Sequence, residues 1–358
     1  MPITVALAPA AARSYEIHIG RDLLDTLAEQ LATHRWAARY FVVTDSNVAT
    51  LHLDRVLERV NAEAVVLPAG EEHKTIDTAV SLASSLLERG ADRTSGILAV
   101  GGGVVGDVAG FVASIFMRGI PCVQVPTTLL AQVDSSVGGK TGVDVPAAKN
   151  ILGTFQQPRA VFSDLSFLDT LPAREWTNGF AEIVKYGAIA DPGLLTIMSE
   201  RCDDLRRGDQ RLLADVIGRS CRIKQEIVES DEREGGLRRI LNFGHTVGHA
   251  VEAESGFAVS HGEAVAMGMV CAAALSERLG HLGADHRESL VDVLRQVGLP
   301  VRIPAALPVP GILDRLRRDK KKVGATVHFV LLKGPGRPFI DGAVPDEMVR
   351  EVIEDMKS

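Results

Sequence analysis

The sequence has no surplus of cations. It carries 39 Lys+Arg against 46 Asp+Glu, a formal charge of −7, whereas nucleic acids and acidic membrane surfaces need a broad basic face that displaces counterions. No nucleic-acid or membrane partner is therefore expected, and any anion site must be a local gathering of cations. Long hydrophobic runs are missing too. Ser95 to Val100 and Val265 to Leu275 are interrupted or bounded by glycine or charge, well short of the roughly 20 apolar residues of a membrane span. Met1 to Ala12 has neither the basic flank nor the apolar core of a secretory signal, so a cytoplasmic location is expected. Cys122, Cys202, Cys221 and Cys271 stand alone with no CxxC pair, which reads as small buried hydrophobes rather than disulfides. No internal repeat and no low-complexity segment is visible.

What is present is enough chain for about two domains. The first half alternates β-branched runs with helical stretches: Tyr40 to Thr44, a helix through Val60, Ala64 to Pro68, a helix from Thr75 to Arg89, then Gly96 to Val100 and Cys122 to Val125. That alternation predicts a parallel α/β sheet. After Leu171-Pro172 helical patterns follow one another until Thr326 to Leu332, placing a boundary near Thr170. Asp191-Pro192 reads as an N-cap with proline at the first helical position. Ser260 to Glu263 reads as a capping box, which puts His261 in the first turn of a helix running to Gly280.

Chemistry-bearing residues fall in three groups. Gly101, Gly103 and Gly106 match GxGxxG between a predicted strand and a predicted helix, where missing Cβ atoms admit a pyrophosphate to backbone N–H groups. No acidic residue follows at about 20 positions, as a dinucleotide fingerprint requires. Gly138-Gly139-Lys140-Thr141 looks like the end of a P-loop, but Asp134 stands where that motif needs glycine, which rejects an NTPase. The third group is His245, His249 and His261. Spacing of four puts the first two imidazoles on one helix face, which suits Zn²⁺; Thr246 after His245 excludes the HExxH protease motif. A catalytic three-ligand site needs a carboxylate as well. Glu182, sharing a helix face with Lys185 in GFAEIVKYG, is the best candidate by local context, and a surface i, i+3 ion pair is the alternative.

Taken together, the segments Gly70 to Lys74, GGGVVGDVAGF from Gly101, PTTLLAQVDSSVGGKTGV from Pro126, Lys149-Asn150, GFAEIVKYG from Gly179, LNFGHTVGHA from Leu241, HGEAVAMGM from His261 and the DKK run from Asp319 resemble the 3-dehydroquinate synthase family of sugar-phosphate cyclases. Their order and spacing extend the resemblance over most of the chain. It implies a Rossmann-like α/β N-terminal domain, residues 1–170, that binds NAD, and a mostly α-helical C-terminal domain, residues 171–358, that binds metal and substrate, commonly in a homodimer. It implies that Glu182, His245 and His261 hold one divalent metal, Zn²⁺ or Co²⁺, and that His249 faces substrate. NAD contacts would fall on Asp45, Glu71, Glu72, His73, Lys74, Gly103, Val104, Val105, Gly106, Asp107, Thr127, Thr128, Lys140, Lys149 and the Phe167, Leu168, Asp169, Thr170 turn. Catalytic roles would fall on Asp134, Lys140, Lys185, Lys224, Asn242 and His249, and substrate contacts on Arg118, Asn150, Arg238 and Lys320. Two residues depart from the family pattern, Ala148 before Lys149 and Met117 before Arg118.

The activity implied converts 3-deoxy-D-arabino-heptulosonate 7-phosphate to 3-dehydroquinate and phosphate, a step of the shikimate pathway. It proceeds by transient oxidation of a ring alcohol, phosphate elimination, re-reduction and aldol closure, with no net turnover of NAD. Cations from separate segments would converge on one phosphorylated, carboxylated sugar acid, which reconciles an acidic protein with an anionic ligand. The alternatives are another sugar-phosphate cyclase, or a metal-dependent polyol dehydrogenase, which would produce NADH stoichiometrically and has little use for phosphate-binding cations. A non-catalytic sensor of metal and nucleotide is a third.

Overall fold

The computed structural model describes residues 14–145, 148–323 and 327–357, with the side chains of 148 and 318–323 outside the description. Eight strands and four long helices come first: β1 (Glu16–Gly20), α1 (Leu24–His34), β2 (Arg39–Asp45), α2 (Ser46–Leu57), β3 (Ala62–Leu67), α3 (Ile76–Glu88), β4 (Ser95–Gly101), α4 (Gly103–Ile115), β5 (Cys122–Pro126), β6 (Lys140–Val145), β7 (Ala148–Phe155) and β8 (Ala160–Asp164). Then follow α5 (Ala173–Ile189), α6 (Pro192–Arg206), α7 (Gln210–Ser230), α8 (His245–Glu254), α9 (His261–Arg278), α10 (Ala284–Gln296), α11 (Val309–Val323), β9 (Phe329–Leu332), β10 (Pro338–Asp341) and α12 (Asp346–Asp355). The chain packs as two compact units. One comprises the described residues up to Thr127 with Gly139–Asp164; the other comprises Thr128–Gly138 with the described residues from Leu165 onward.

The first unit is built on a six-stranded sheet in the order β1-β8-β5-β4-β2-β3, with every pairing parallel. Helices cover a parallel sheet on both faces, so its inner strands are apolar throughout instead of alternating. Accordingly β4, β5 and β8 are buried at every residue, whereas edge strand β3 alternates. The strand order reverses direction between β2, whose chain continues outward to β3, and β4, which continues to β5. In sheets of this kind the crevice at the carboxyl ends of the strands beside such a switch is where ligands bind. The β6–β7 hairpin is antiparallel and packs on α4 through Thr141, Thr154 and Ser114, whose hydroxyls are linked at 2.8 and 2.7 Å.

The second unit is helical apart from the β9–β10 hairpin. Asp191 caps α6 by accepting from Gly193 N at 3.1 Å, with Pro192 as the first helical residue. The capping box at the start of α9 is formed in both directions. Asp134 sits in a five-residue π turn, Ala131–Ser135, closed by Ser136 N donating to Ala131 O at 3.2 Å. All four cysteines are free and buried. No helix among the described residues is long and apolar enough to cross a membrane.

Candidate active site

Three helices of the second unit gather the donor side chains, and glycines set how closely they approach. A Cβ on Gly248 of α8 would lie 2.8 Å from Ala264 O of α9, and one on Gly268 of α9 would fall onto the Gly244 carbonyl. At the start of α9, a Cβ on Gly262 would lie 2.6 Å from the Asn178 Cα of α5. Each distance is shorter than real Cβ contacts, so these positions admit only glycine without a shift of backbone. Gly244 itself has φ +81°, the left-handed region that costs other L-residues, and this turn launches α8 at His245.

Glu182 of α5 is fully buried. Its Oε1 faces His245 Nε2 at 3.6 Å and His261 Nε2 at 3.5 Å, and the donor atoms of all three lie within 4.8 Å of one another. Ligands about 2.0–2.2 Å from a tetrahedral metal stand roughly 3.3–3.6 Å apart, and both carboxylate–imidazole spacings fall in that range. Neither carboxylate oxygen accepts a well-formed hydrogen bond, although the Lys185 ammonium touches the group. Burial opposes the charge of Glu182, but Lys185 overrides it and holds the carboxyl down at about 2. Burial also pushes the His245 imidazole down to about 3. It works the same way on His261, yet Glu182 and Glu252 on either side override it and lift that ring to about 9. The residues fit a divalent cation. Instead of a surface ion pair, Glu182 and Lys185 form a buried one.

Beside this cluster, Asp134 Oδ1 takes Lys224 Nζ at 2.5 Å and Tyr186 Oη at 2.6 Å, and Lys224 also donates to Asp134 O at 2.8 Å. Burial resists the charge on Asp134, but Lys185 and Lys224 override it and hold the carboxyl well below the usual range. Burial depresses Lys224 despite that partner; for Lys185, Asp134 and Glu182 outweigh burial and raise it. Tyr186 was absent from the residues singled out in the sequence, although it lies one turn beyond Glu182. Tyr186→Phe is expected to lower stability by about 1.5–3 kcal/mol, the range for a hydrogen bond to a charged group, measured by urea unfolding. An unchanged midpoint would show that this hydroxyl carries no weight.

His249 is exposed, with its ring 5.1 Å from that of His245 and 6.0 Å from that of His261. Asn242 Nδ2 donates to Glu234 Oε1 at 2.8 Å. Arg238 is fully buried, and its guanidinium donates to the carbonyls of Glu232 at 2.5 Å and Gly138 at 2.9 Å, so it ties the loop before α8 to the turn after Asp134. Thr128, Phe167, Leu168, Asp169 and Thr170 belong to this unit as well, with Phe167 and Leu168 buried. Lys320 lies on α11, and its side chain is outside the described residues.

In the sheet unit, the candidate dinucleotide residues lie along the carboxyl ends of the strands. Asp45 ends β2 and caps α2, accepting from Asn47 and Val48 N at 2.9 and 3.0 Å. Glu71, Glu72, His73 and Lys74 follow β3; Gly103, Val104, Val105, Gly106 and Asp107 open α4 after β4; Thr127 follows β5. Lys74 binds Asp107 at 2.5 Å and Lys149 binds Glu71 at 2.8 Å. Thr127 Oγ1 is buried with no hydrogen-bond partner, an open polar position at this edge. An acidic residue, Asp45, thus ends β2, the strand beside β4, and precedes the glycines in the chain. Lys140 and Asn150 sit on the β6–β7 hairpin, Asn150 with φ +53°, and Arg118 follows α4 with φ +71°.

A parallel-sheet unit and a helical unit that holds two histidines and a glutamate give the chain the fold of the dehydroquinate-synthase-like cyclases. The fold matches 2-epi-5-epi-valiolone synthase from Streptomyces hygroscopicus subsp. jinggangensis 5008, a structure with NAD⁺ and Zn²⁺ bound, at a TM-score of 0.88 and 28% identity over 99% of both chains. It also matches 2-deoxy-scyllo-inosose synthase complexed with carbaglucose-6-phosphate, NAD⁺ and Co²⁺, at a TM-score of 0.84 and 28% identity over 95% of this chain and 96% of that one. Models of the 3-dehydroquinate synthase N-terminal and C-terminal regions match residues 64–178 and 179–322. The 3-dehydroquinate synthase of Methylococcus capsulatus is 46% identical over 346 residues, 96% of each chain. The chain belongs to the 3-dehydroquinate synthase family.

Proposed function

We propose that the protein converts 3-deoxy-D-arabino-heptulosonate 7-phosphate to 3-dehydroquinate and phosphate. The observation that carries this reading is the buried Glu182 carboxylate, free of well-formed hydrogen bonds and facing the Nε2 atoms of His245 and His261. Lys185 pairs with this carboxylate through Oε2 and offsets its burial, which leaves Oε1, turned to the two imidazoles, as the ligand position for a divalent cation. Glu182, His245 and His261 would hold the divalent metal, and the sheet-edge residues Asp45, Glu71 to Lys74, Gly103 to Asp107 and Thr127 would hold NAD, together with Thr128, Lys140, Lys149 and the Phe167 to Thr170 turn. When bound, the metal supplies a Lewis acid for a ring hydroxyl and NAD a reversible hydride acceptor.

The chain's own groups then have separate tasks. Lys185 places a fixed positive charge against Glu182, where anionic charge developing on substrate is stabilised. Asp134, held ionised by Lys224 and Lys185, orients the Lys224 ammonium through two close contacts, and its carboxylate is fixed in turn by the Tyr186 hydroxyl. Exposed His249 stands beside the donor cluster as an acid–base group, with Asn242 nearby on the same segment. Lys140, Arg118, Asn150, Arg238 and Lys320 are the proposed ligands of the phosphate and carboxylate, a task suited to charge-assisted hydrogen bonds. The reaction belongs to the shikimate pathway; we place the protein in the cytoplasm as a homodimer.

The test is to incubate metal-loaded protein with the heptulosonate phosphate and a catalytic amount of NAD⁺, following phosphate release and dehydroquinate formation. Stoichiometric phosphate with no accumulation of NADH is expected. NADH accumulating one-for-one with substrate loss, or no phosphate release, would sink the proposal. Turnover of a different sugar phosphate in place of this one would move the protein to another cyclase activity.

A further inference from the structure

We propose that Glu252 is the positioning residue for His261: its carboxylate accepts the Nδ1 proton and so commits Nε2 to the metal. The inference rests on the metal site proposed above. A neutral imidazole that gives one nitrogen to a metal carries its proton on the other, and whatever accepts that proton fixes the tautomer and the ring plane. Both site histidines turn Nε2 to Glu182 Oε1. Behind His245, Nδ1 meets the Phe243 carbonyl at 3.2 Å. Behind His261, Nδ1 meets Glu252 Oε2 at 3.8 Å. The two rings are therefore used alike, one backed by a main-chain carbonyl and the other by a carboxylate.

Glu252 lies on α8 at i+7 from His245 and i+3 from His249, on the face that glycines bring close to α9. Its side chain is buried, at 5% exposure, while the His261 side chain keeps 30%. A carboxylate withdrawn from water in this way costs free energy unless a charged or hydrogen-bonding partner offsets it. The ring of His261, which opens α9 as His245 opens α8, supplies one. A carboxylate is also a stronger acceptor than a carbonyl, which raises the donor strength of Nε2 on this more exposed ligand. Glu252 can be grouped differently, since its oxygen, His249 and His261 also lie within 4.8 Å of one another. In that arrangement it would be a ligand itself, taking His261 through the ring nitrogen that faces it.

The test compares the wild type with Glu252→Leu, which fills the buried volume but accepts no proton, and Glu252→Gln, whose amide oxygen still accepts one. Zinc affinity is measured by competition with a chromogenic chelator, metal content by elemental analysis, and ligand geometry by the visible absorption of the cobalt-loaded protein. Thermal unfolding of the metal-free forms establishes that each variant is folded, and Glu252→Ala takes the place of leucine should leucine disturb the packing. Glu252→Leu is expected to weaken zinc binding by about 10–100-fold and to shift the cobalt bands, with Glu252→Gln recovering most of both. Zinc affinity and cobalt bands in Glu252→Leu equal to wild type would overturn the inference. So would a wild type with two ions per chain and a leucine variant with one, which would make Glu252 a ligand. A His261→Ala control separates the two readings. Metal lost there but undiminished in Glu252→Leu removes this inference alone, whereas a wild type that binds no metal removes the proposed site with it.

Discussion

His261→Ala is expected to leave the purified protein without bound metal, whereas His249→Ala keeps its metal and loses turnover by about 10²–10⁴-fold, the usual weight of a general acid or base. The asymmetry follows from where Glu182 points. This carboxylate is wholly buried and its Oε1 stands 3.5–3.6 Å from the Nε2 atoms of His261 and His245. Removing His261 takes one of the three proposed ligands and leaves Glu182 and Lys185 as a closed pair. His249 is exposed and meets the cluster through its ring, edge-on to His245 with an interplanar angle of 89°. Elemental analysis of both variants beside their steady-state rates decides the point, and equal metal loss in the two would show that the ligand set is wrongly drawn.

Gly268→Ala is expected to lower stability by about 3 kcal/mol, the upper part of the range for overpacking, and to reduce the unfolding temperature by about 2–4 °C for each kcal/mol. The added methyl would fall onto the Gly244 carbonyl, which is backbone and has no rotamer to escape into. Helices α8 and α9 must then separate, and because they carry His245 and His261 the metal should go with the stability. Gly236→Ala is the control, since a Cβ there meets nothing within 4 Å and φ is −164°. Thermal scans in which the two variants melt together would show that the helix contact is looser than described.

Much of this arrangement was legible in the residues. The alternation from Tyr40 to Val125 gave β2 to β5 with their helices, and Asp191-Pro192 and Ser260 to Glu263 marked helix starts that the structure forms. Local signals sufficed because caps and apolar runs act within a turn or a strand. Strands β1, β6, β7 and β8 escaped. Edge strand β1 is only half-buried, and β6 and β7 hold glycine and lysine, which weaken a strand pattern. The passage of Thr128–Gly138 into the helical unit left no local trace. The glutamate partnered with Lys185 could have been a surface pair, since i, i+3 spacing is the same in water and in a core. What decides it is the apolar packing of the neighbouring helices. Tyr186 and Glu252 escaped for a related reason: their partners, Asp134 and His261, are near in space and far or differently oriented along the chain.

The excursion of residues 128–138 also bears on inheritance. The chain passes between its two units three times, after Thr127, after Gly138 and after Asp164, so neither unit is one continuous stretch. A gene fragment that began at Leu165 would encode Lys224 and Tyr186 without the Asp134 that both bind, and a buried ammonium stripped of its carboxylate is strongly destabilising. The halves of this protein are thus poor material for shuffling. Recombination at the visible boundary would break a charge pair that lies far upstream of it, and the two units are bound to be inherited together.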